Sequence, residues 1–561
     1  MVGDQSLAAE CVEIAIEHGL DIVVIATNHP VVASFADLHG IPHVDSATGL
    51  AAALQPYDFD VLLSIANLRI LPDAVLEQAK VRINFHDGPL PGYAGLNVTS
   101  WAILAGESTH GIAWHLMTPE VDAGEIVTTE TFDIRPDETA FGLNARCYEA
   151  ALASFPRVAA AIADGALATT PQPAGTSRLF RKHERPCSVF DPAEAAAVTD
   201  RAVRAHAIGD RVRNTLGSVR LVLDDPMTRD DAVYVVNDVR LADPTEGAIG
   251  SIVALDETSV RMRVADADVV ISAISRADGN TVNPSEVVSS HGLGVGSVVP
   301  SPDTGLVAAL HELDPQLSRH EEAWLDRLGS TEIPSLPPIA AGGPAEWASH
   351  EIVVPAGAGT AQIVAALATW SARTTGAPEA VFAYTDPKAR EIVGRLGALV
   401  QLPIGRVDTA AHVDFAALTA AAAAELEWLG THATFLSDAV GRDPRTHGRR
   451  FGAPVMIAVD LDDTDPSATL PRDATTLCFT LATTGGGRLT LHHRLDRIDP
   501  TAADRIARQV ATLLRTGVND PACVLSSLEM LSETEVAELD ALNEVALDHD
   551  RTTTIDQQFR A

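Results

Sequence analysis

Lysine is almost missing from this 561-residue chain: three occur (Lys80, Lys182, Lys388), and 37 of the 40 basic residues are arginine. Positive charge is scarce altogether, because 76 acidic residues leave a formal net charge of −36. Nucleic acid is bound chiefly by exchanging counterions for Lys and Arg, so this deficit argues against a nucleic-acid partner and against an anionic membrane surface. Cysteine is sparse too. Cys11, Cys147, Cys187, Cys478 and Cys523 are scattered, with no CxxC and no Cys/His cluster at zinc spacing, which reads as reduced, buried thiols in a cytoplasmic protein and leaves no metal site. The opening MVGDQSLAAE lacks a basic stretch followed by an apolar one, so no signal peptide is expected. No run approaches the roughly 18 apolar residues that a membrane span needs. The preference for Arg over Lys, with heavy Ala use, reads as coding bias and carries no chemistry.

Apolar residues, by contrast, make up 46% of the chain, enough for real cores. At roughly 100–200 residues per domain, the length predicts three to five folding units. The first 170 residues or so alternate in the α/β manner. A helix over Ser6–His18 precedes the apolar run Asp21–Thr27; the run Val61–Ala66 precedes a helix opened by Pro72; then comes the strand Val81–His86. A Pro/Gly-rich loop, a helix from about Val98, the strand Gly111–Met117 and a long amphipathic helix near Glu138–Asp164 complete the unit. Such alternation implies a parallel sheet covered on both faces, with chemistry in the loops after His86 and Met117. Only Met-Val precedes GDQS, so either the sheet begins with a stub or its true start lies upstream. Pro171, Pro173 and Gly175 mark a linker. From Arg178 to Pro300, short strands separated by turns suggest a small antiparallel barrel. After a second linker (Val298–Thr304), long Ala-rich helices alternate with strands such as PVMIAVDL and RLTLHHRL.

The segment Arg82–Trp101, RINFHDGPLPGYAGLNVTSW, carries the most chemistry. Asn84 and His86 stand two apart at a strand end and project to one side. Downstream, VDAGEI (Val121–Ile126) places Asp122 beyond the next strand, and parallel neighbours would gather the three. Acyl transfer to an amine suits that trio. An amide donor and an imidazolium stabilise an oxyanion, and a carboxylate orients the imidazole and accepts a proton. The same residue types at strand ends also serve as turn formers, and spacing alone leaves both readings open. GGGR (Gly485–Arg488) lacks the context of a phosphate loop and reads as a hairpin turn. His110, His115 and His183 read as surface or core histidines, and His291 as a turn residue.

INFHDGPLPGYAG, NVTSWAILAGE, GIAWHLM and VDAGEI together resemble the formyltransferase domain that uses N10-formyltetrahydrofolate. That family acts on methionyl-tRNA, glycinamide ribonucleotide and sugar amines, and includes the formylation domains of nonribosomal peptide synthetases. The resemblance runs from Met1 to about Asp164. It implies a Rossmann-like core, with Asn84, His86 and Asp122 as the catalytic trio. SIANLRILPDAVL resembles the stretch bordering the pterin pocket, which implies cofactor contacts at Ser64, Leu68, Ile70, Leu71, Asp122 and Gly124. Many relatives have S-L-L-P after the His. Here Asp87, Gly88, Pro89, Leu90 and Pro91 follow, and Gly92 stands where an Arg often does. Asp87, Gly88, Pro89 and Asn97 are therefore the expected acceptor contacts, and INFHDGPLP looks closest to the synthetase-fused branch.

The region from Arg178 to Pro300 resembles the family's auxiliary carboxy-terminal domain, an OB-like barrel that is basic in the tRNA enzymes. Here it holds 14 basic and 18 acidic residues, which argues against tRNA. EEAWLDRLGSTEIPSLPP (Glu321–Pro338) and LSSLEMLSETEVAELDALN (Leu525–Asn543) resemble half of a synthetase condensation domain and the linker to an adenylation domain. The condensation motif HHxxxDG is lacking: His492 and His493 are followed by RLDRI, in what reads as an ordinary late strand. The expected division is therefore a catalytic domain over 1–172, a barrel over 178–300, one condensation-like α/β lobe over 305–535, and a linker over 536–561 leading to a downstream adenylation domain. The resemblance implies formylation of an aminoacyl group on a phosphopantetheinyl carrier protein. The alternatives are formylation of a free amine (hydroxyornithine or an amino sugar) and a non-catalytic docking scaffold.

Overall fold

The computed structural model describes all residues except 176, 210, 337–341, 345, 462–474, 483–487, 544–554 and 561. The glycines of the GGGR turn and much of the 536–561 linker lie outside the described residues. The chain forms two compact units: Met1–Leu325 together with Leu436–Arg449, and Asp326–Phe435 together with Arg450–Ala561.

In the first unit, strands β1 (Ile25–Ala26), β2 (His43–Val44), β3 (Val61–Ser64) and β4 (Val81–His86) alternate with helices α1 (Ser6–Glu17), α2 (Pro30–Leu38), α3 (Leu50–Leu54) and α4 (Asp73–Leu76). Pro72 is the residue before α4, with extended backbone. Met-Val pairs with the sheet. Val2 bridges both Ala26 and Ser64 in parallel, joining β1 to β3, and the Met1 ammonium donates to the Val24 carbonyl at 2.8 Å. After β5 (Ala94–Gly95) and α5 (Val98–Ala105) come β6 (Thr109–Leu116), β7 (Ile126–Asp133) and α6 (Ala140–Ala163).

The expected all-parallel sheet is not what forms. β3 and β4 are parallel, but β4–β6 and β6–β7 are antiparallel. The eight-residue α5 does not carry the chain back to the far edge of the sheet, so β6 starts beside the end of β4, with His86 opposite Ala113. Both faces are covered, as expected. Leu7, Cys11, Phe85, Trp114, Cys147 and Phe155 fill one core, while Leu50, Leu54, Leu62, Val75 and Leu76 fill another.

β8 (Leu179–Phe180) leaves the linker to pair in parallel with β5. Beyond α7 (Ala196–His206), strands β9 (Arg220–Val222), β10 (Val233–Ala242), β11 (Ile252–Leu255), β12 (Val260–Arg263) and β13 (Asp268–Ser275) form the expected antiparallel set. Their order is β11-β12-β13-β10-β9, and among the described residues no pairing joins the two ends. The sheet is open and not a closed barrel. An edge of three residues at β9 and four at β11 offers too little length to zip shut.

A buried ion network closes this unit. Glu321 takes both nitrogens of Arg185 (2.8 and 2.9 Å) and both of Arg442 (2.7 and 3.1 Å), while Asp438 accepts from Arg220 at 2.9 Å. These side chains are 2–6% exposed. Charges so deeply desolvated persist only when paired in this way.

The second unit holds a mixed sheet in the order 347–352, 488–494, 477–482, 455–459, 379–385, 404–408, with the Ala-rich helices Thr360–Thr375 and Phe415–His432 and the helix Pro500–Asn519 packed together. His492 and His493 lie inside the strand Arg488–Arg494. His492 faces the Thr480 hydroxyl at 3.0 Å, His493 stacks on His350, and Asp496 pairs with Arg494 at 2.7 Å.

Candidate active site

Antiparallel pairing of β4 and β6 sets Asn84 directly opposite His115, and the Asn84 Nδ2 lies 3.1 Å from the His115 Nε2. Two residues on, His86 projects from the same face of β4 and is 5% exposed. Its Nε2 donates to the Tyr93 carbonyl at 2.6 Å, which turns Nδ1 toward Asp122 Oδ2 at 3.6 Å.

Asp122 does not arrive on a strand end. The loop after β6 doubles back over its own strand, and Asp122 holds a left-handed backbone at φ 53°. Gly124 makes the fold-back possible, since a Cβ there would lie 1.8 Å from the Leu116 carbonyl oxygen. Gln172, in the linker, clamps the loop by donating to the carbonyls of Asp122 (2.7 Å) and Gly124 (2.9 Å). The carboxylate then accepts from the Gly95 N–H at 2.8 Å and meets the His115 Nε2 at 3.3 Å. Burial pushes its pKa up, but the His115 contact, the charge of His86 and the Gly95 N–H outweigh that and bring it from its ordinary 3.8 to about 2. Asp122 therefore stays ionised while buried. The combination is costly unless the anion has work to do.

These residues line a cavity of about 1180 Å³. Ser64, Leu68, Ile70 and Leu71 form one wall, with Asp87 beside the trio. Leu68 and Ile70 are 69% and 78% exposed, an apolar ledge of the kind a flat ring covers. The segment from Leu179 to Arg185 lines the cavity as well.

The structure thus brings Asn84, His86, Asp122, Ser64, Leu68, Ile70, Leu71 and Asp87 together. Four expected contacts are placed otherwise. Gly124 shapes the loop from behind. Gly88 lies against the imidazole, where a Cβ would stand 2.9 Å from the His86 Nε2 and 2.7 Å from the Tyr93 carbonyl oxygen, so it too is a shape requirement. Pro89 is outside the cavity lining, its carbonyl accepting from the Tyr93 N–H at 3.1 Å. Asn97 precedes α5 in a left-handed conformation, with its amide donating to the Thr215 hydroxyl at 3.3 Å.

His115, expected as a surface or core histidine, stands in the site against Asn84 and Asp122. Its alternation with the buried Trp114 in GIAWHLM was the available signal: period two puts Trp114 in the core and His115 on the opposite face. His110 supports the loop from below by contacting the Asp87 carbonyl at 2.8 Å, and burial depresses its pKa.

Residues 21–159 match the family model described as formyl transferase. The methionyl-tRNA formyltransferase of Parvibaculum lavamentivorans is 35% identical over 156 residues, covering 27% of this chain and 50% of the relative. The GDP-perosamine N-formyltransferase of Brucella melitensis biotype 1 is 30% identical over 155 residues, 26% of this chain and 60% of the relative. The chain spans between half and three fifths of the length of these two relatives. A solved N-formyltransferase from Helicobacter canadensis, in complex with folinic acid and dTDP-3-aminofucose, covers 48% of this chain and 97% of its own at 15% identity, with a TM-score of 0.39.

Proposed function

We propose that the domain matched by the formyl transferase model transfers a formyl group from N10-formyltetrahydrofolate to an amine. The observation that carries this reading is the buried, ionised Asp122 facing His86 and His115 beside the Asn84 amide. The apolar ledge of Leu68 and Ile70 next to that group fits the ring system of a folate, and Ser64, Ile70 and Leu71 would hold it. The donor, when bound, supplies an electrophilic formyl carbon. Asn84, oriented by His115, offers an N–H to the oxygen on which charge develops. His86, fixed by the Tyr93 carbonyl, presents Nδ1 to the same space and stabilises that charge when protonated. Asp122 orients the imidazole and accepts the proton released by the attacking amine, directly or through water.

The acceptor in this reading is the amino group of an aminoacyl thioester on a phosphopantetheinyl carrier, within a cytoplasmic peptide synthetase. Support comes from the resemblance of 321–338 and 525–543 to condensation and linker segments, and from an overall acidity that disfavours tRNA. The lobe without HHxxxDG would be a platform, and tethering would offset repulsion between acidic partners. A free amino sugar is the second reading, favoured by the likeness to the perosamine enzyme. Incubation with the formyl donor and a loaded carrier, followed by mass spectrometry, should show the carrier gaining one formyl group. No gain on the carrier, with formylation of the amino sugar, would select the second reading; no gain on any amine would sink both.

A further inference from the structure

One wall of the cavity breaks the charge pattern of the whole chain. In a molecule of net charge −36, the eight residues RLFRKHER (178–185) hold four basic side chains and one acidic. The segment includes one of only three lysines. Its Arg181, Lys182 and His183 line the cavity together with Arg319 from the helix Thr304–Gly329. Arg69, between Leu68 and Ile70 in the sequence, lines it too.

The nearby carboxylates are already engaged. Glu184 accepts from Arg178 at 3.2 Å and Glu322 from Lys182 at 2.8 Å. Among the described residues, neither Arg181 nor Arg319 has a carboxylate partner. His183 reports the convergence: burial first, then the charges of Lys182, Arg185 and Arg319, hold its pKa below the usual histidine value. The segment is also rigidly mounted. Arg185 is locked into Glu321, which Arg442 grips from its other side, and β8 pairs with β5 next to the Gly95 that binds Asp122. Unpaired guanidiniums on a fixed frame match a planar or tetrahedral oxyanion, which they bind through two parallel N–H donors.

Resting on the formyl-transfer reading, we propose that the Arg181–Arg319 side of the cavity is a phosphate subsite, so that the acceptor amine is presented on a phosphate-bearing group. Two sources share this chemistry: the phosphodiester of a carrier's phosphopantetheine and the diphosphate of a nucleotide-linked amino sugar.

The test uses the full chain and a matched pair of acceptors, aminoacyl-phosphopantetheine and aminoacyl-pantetheine, with a nucleoside-diphosphate amino sugar as a third arm. The phosphate-bearing thioester should have a kcat/KM about tenfold or more above the phosphate-free one, as charge-assisted pairing to two arginines would give. In Arg181→Ala/Arg319→Ala that ratio should collapse toward one. Because it is a ratio within one protein, partial misfolding of the variant does not alter it. Equal kcat/KM for the two thioesters in the wild type, together with unchanged activity of the double variant on the nucleotide-linked amino sugar, would overturn the proposal. A dependence on the two arginines shown only by the amino sugar would assign the subsite to the nucleotide source. If no acceptor is formylated, calorimetric titration with phosphopantetheine still decides. Binding to the wild type and its loss in the double variant would uphold the subsite while the formyl-transfer reading falls; no binding would end both.

Discussion

Asp122 sits between two imidazoles and a backbone N–H, and that placement makes specific demands on pH and on its neighbours. Its folded pKa of about 2 lies below the ordinary 3.8, so its contribution to stability is fully present above about pH 4 and is lost as pH falls through 2. The shift is worth about 2 kcal/mol. In Asp122→Asn, urea midpoints should therefore fall less steeply between pH 4 and pH 2 than in the wild type. The same variant should lower kcat by roughly a hundredfold or more, the usual scale of a lost proton acceptor, measured in single-turnover assays. An unchanged single-turnover rate would return the site to the scaffold reading. His115→Ala tests the neighbour. Removing the foremost of the interactions that depress the Asp122 pKa should raise it toward 3.8, visible as a shifted carboxyl titration by carbon-detected NMR. No shift would mean that His86 and the Gly95 N–H suffice.

At the scale of elements, the decisive feature is the loop that folds back over β6. Gly124→Ala puts a methyl group against the Leu116 carbonyl, and backbone cannot step aside as a flexible side chain can. The loop must lift, carrying Asp122 away from His115. Displacements of about 1 Å at reacting groups cost on the order of a hundredfold in rate, so activity should fall that far. Folate binding to the Leu68–Ile70 ledge, read by fluorescence quenching, should persist, because that wall belongs to another loop. A second element-level test concerns the network. Arg442→Met leaves Glu321 with Arg185 and Asp438 with Arg220, but removes the residue that bridges them. A loss of about 3 kcal/mol, measured by denaturant unfolding, is expected for a broken buried pair.

For the molecule as a whole, the first compact unit draws on two stretches of chain, Met1–Leu325 and Leu436–Arg449. Residues 1–300 contain Arg185 and Arg220 but none of Asp314, Glu321 or Asp438. A fragment ending at 300 would bury two guanidiniums without counterions, and it should be insoluble or fail to unfold cooperatively. A soluble 1–300 fragment with a sharp thermal transition would show that the network is dispensable.

What was legible in the sequence was local. Asn84 and His86 came from strand period and position, Asp122 from its motif, and strands β9 to β13 from alternation between turns. Gly88 and Gly124 read as acceptor and cofactor contacts in the sequence, whereas the folded chain uses them as space reserved for the His86 ring and the Leu116 carbonyl. The antiparallel register that faces His115 to Asn84, the left-handed turn at Asp122 and the meeting of Arg185, Glu321 and Arg442 were decided only in three dimensions. Residues 121 and 136 positions apart make those ion pairs. Periodicity and propensity act over a few residues, whereas strand direction and buried charge pairing depend on which distant surfaces meet once the chain is packed.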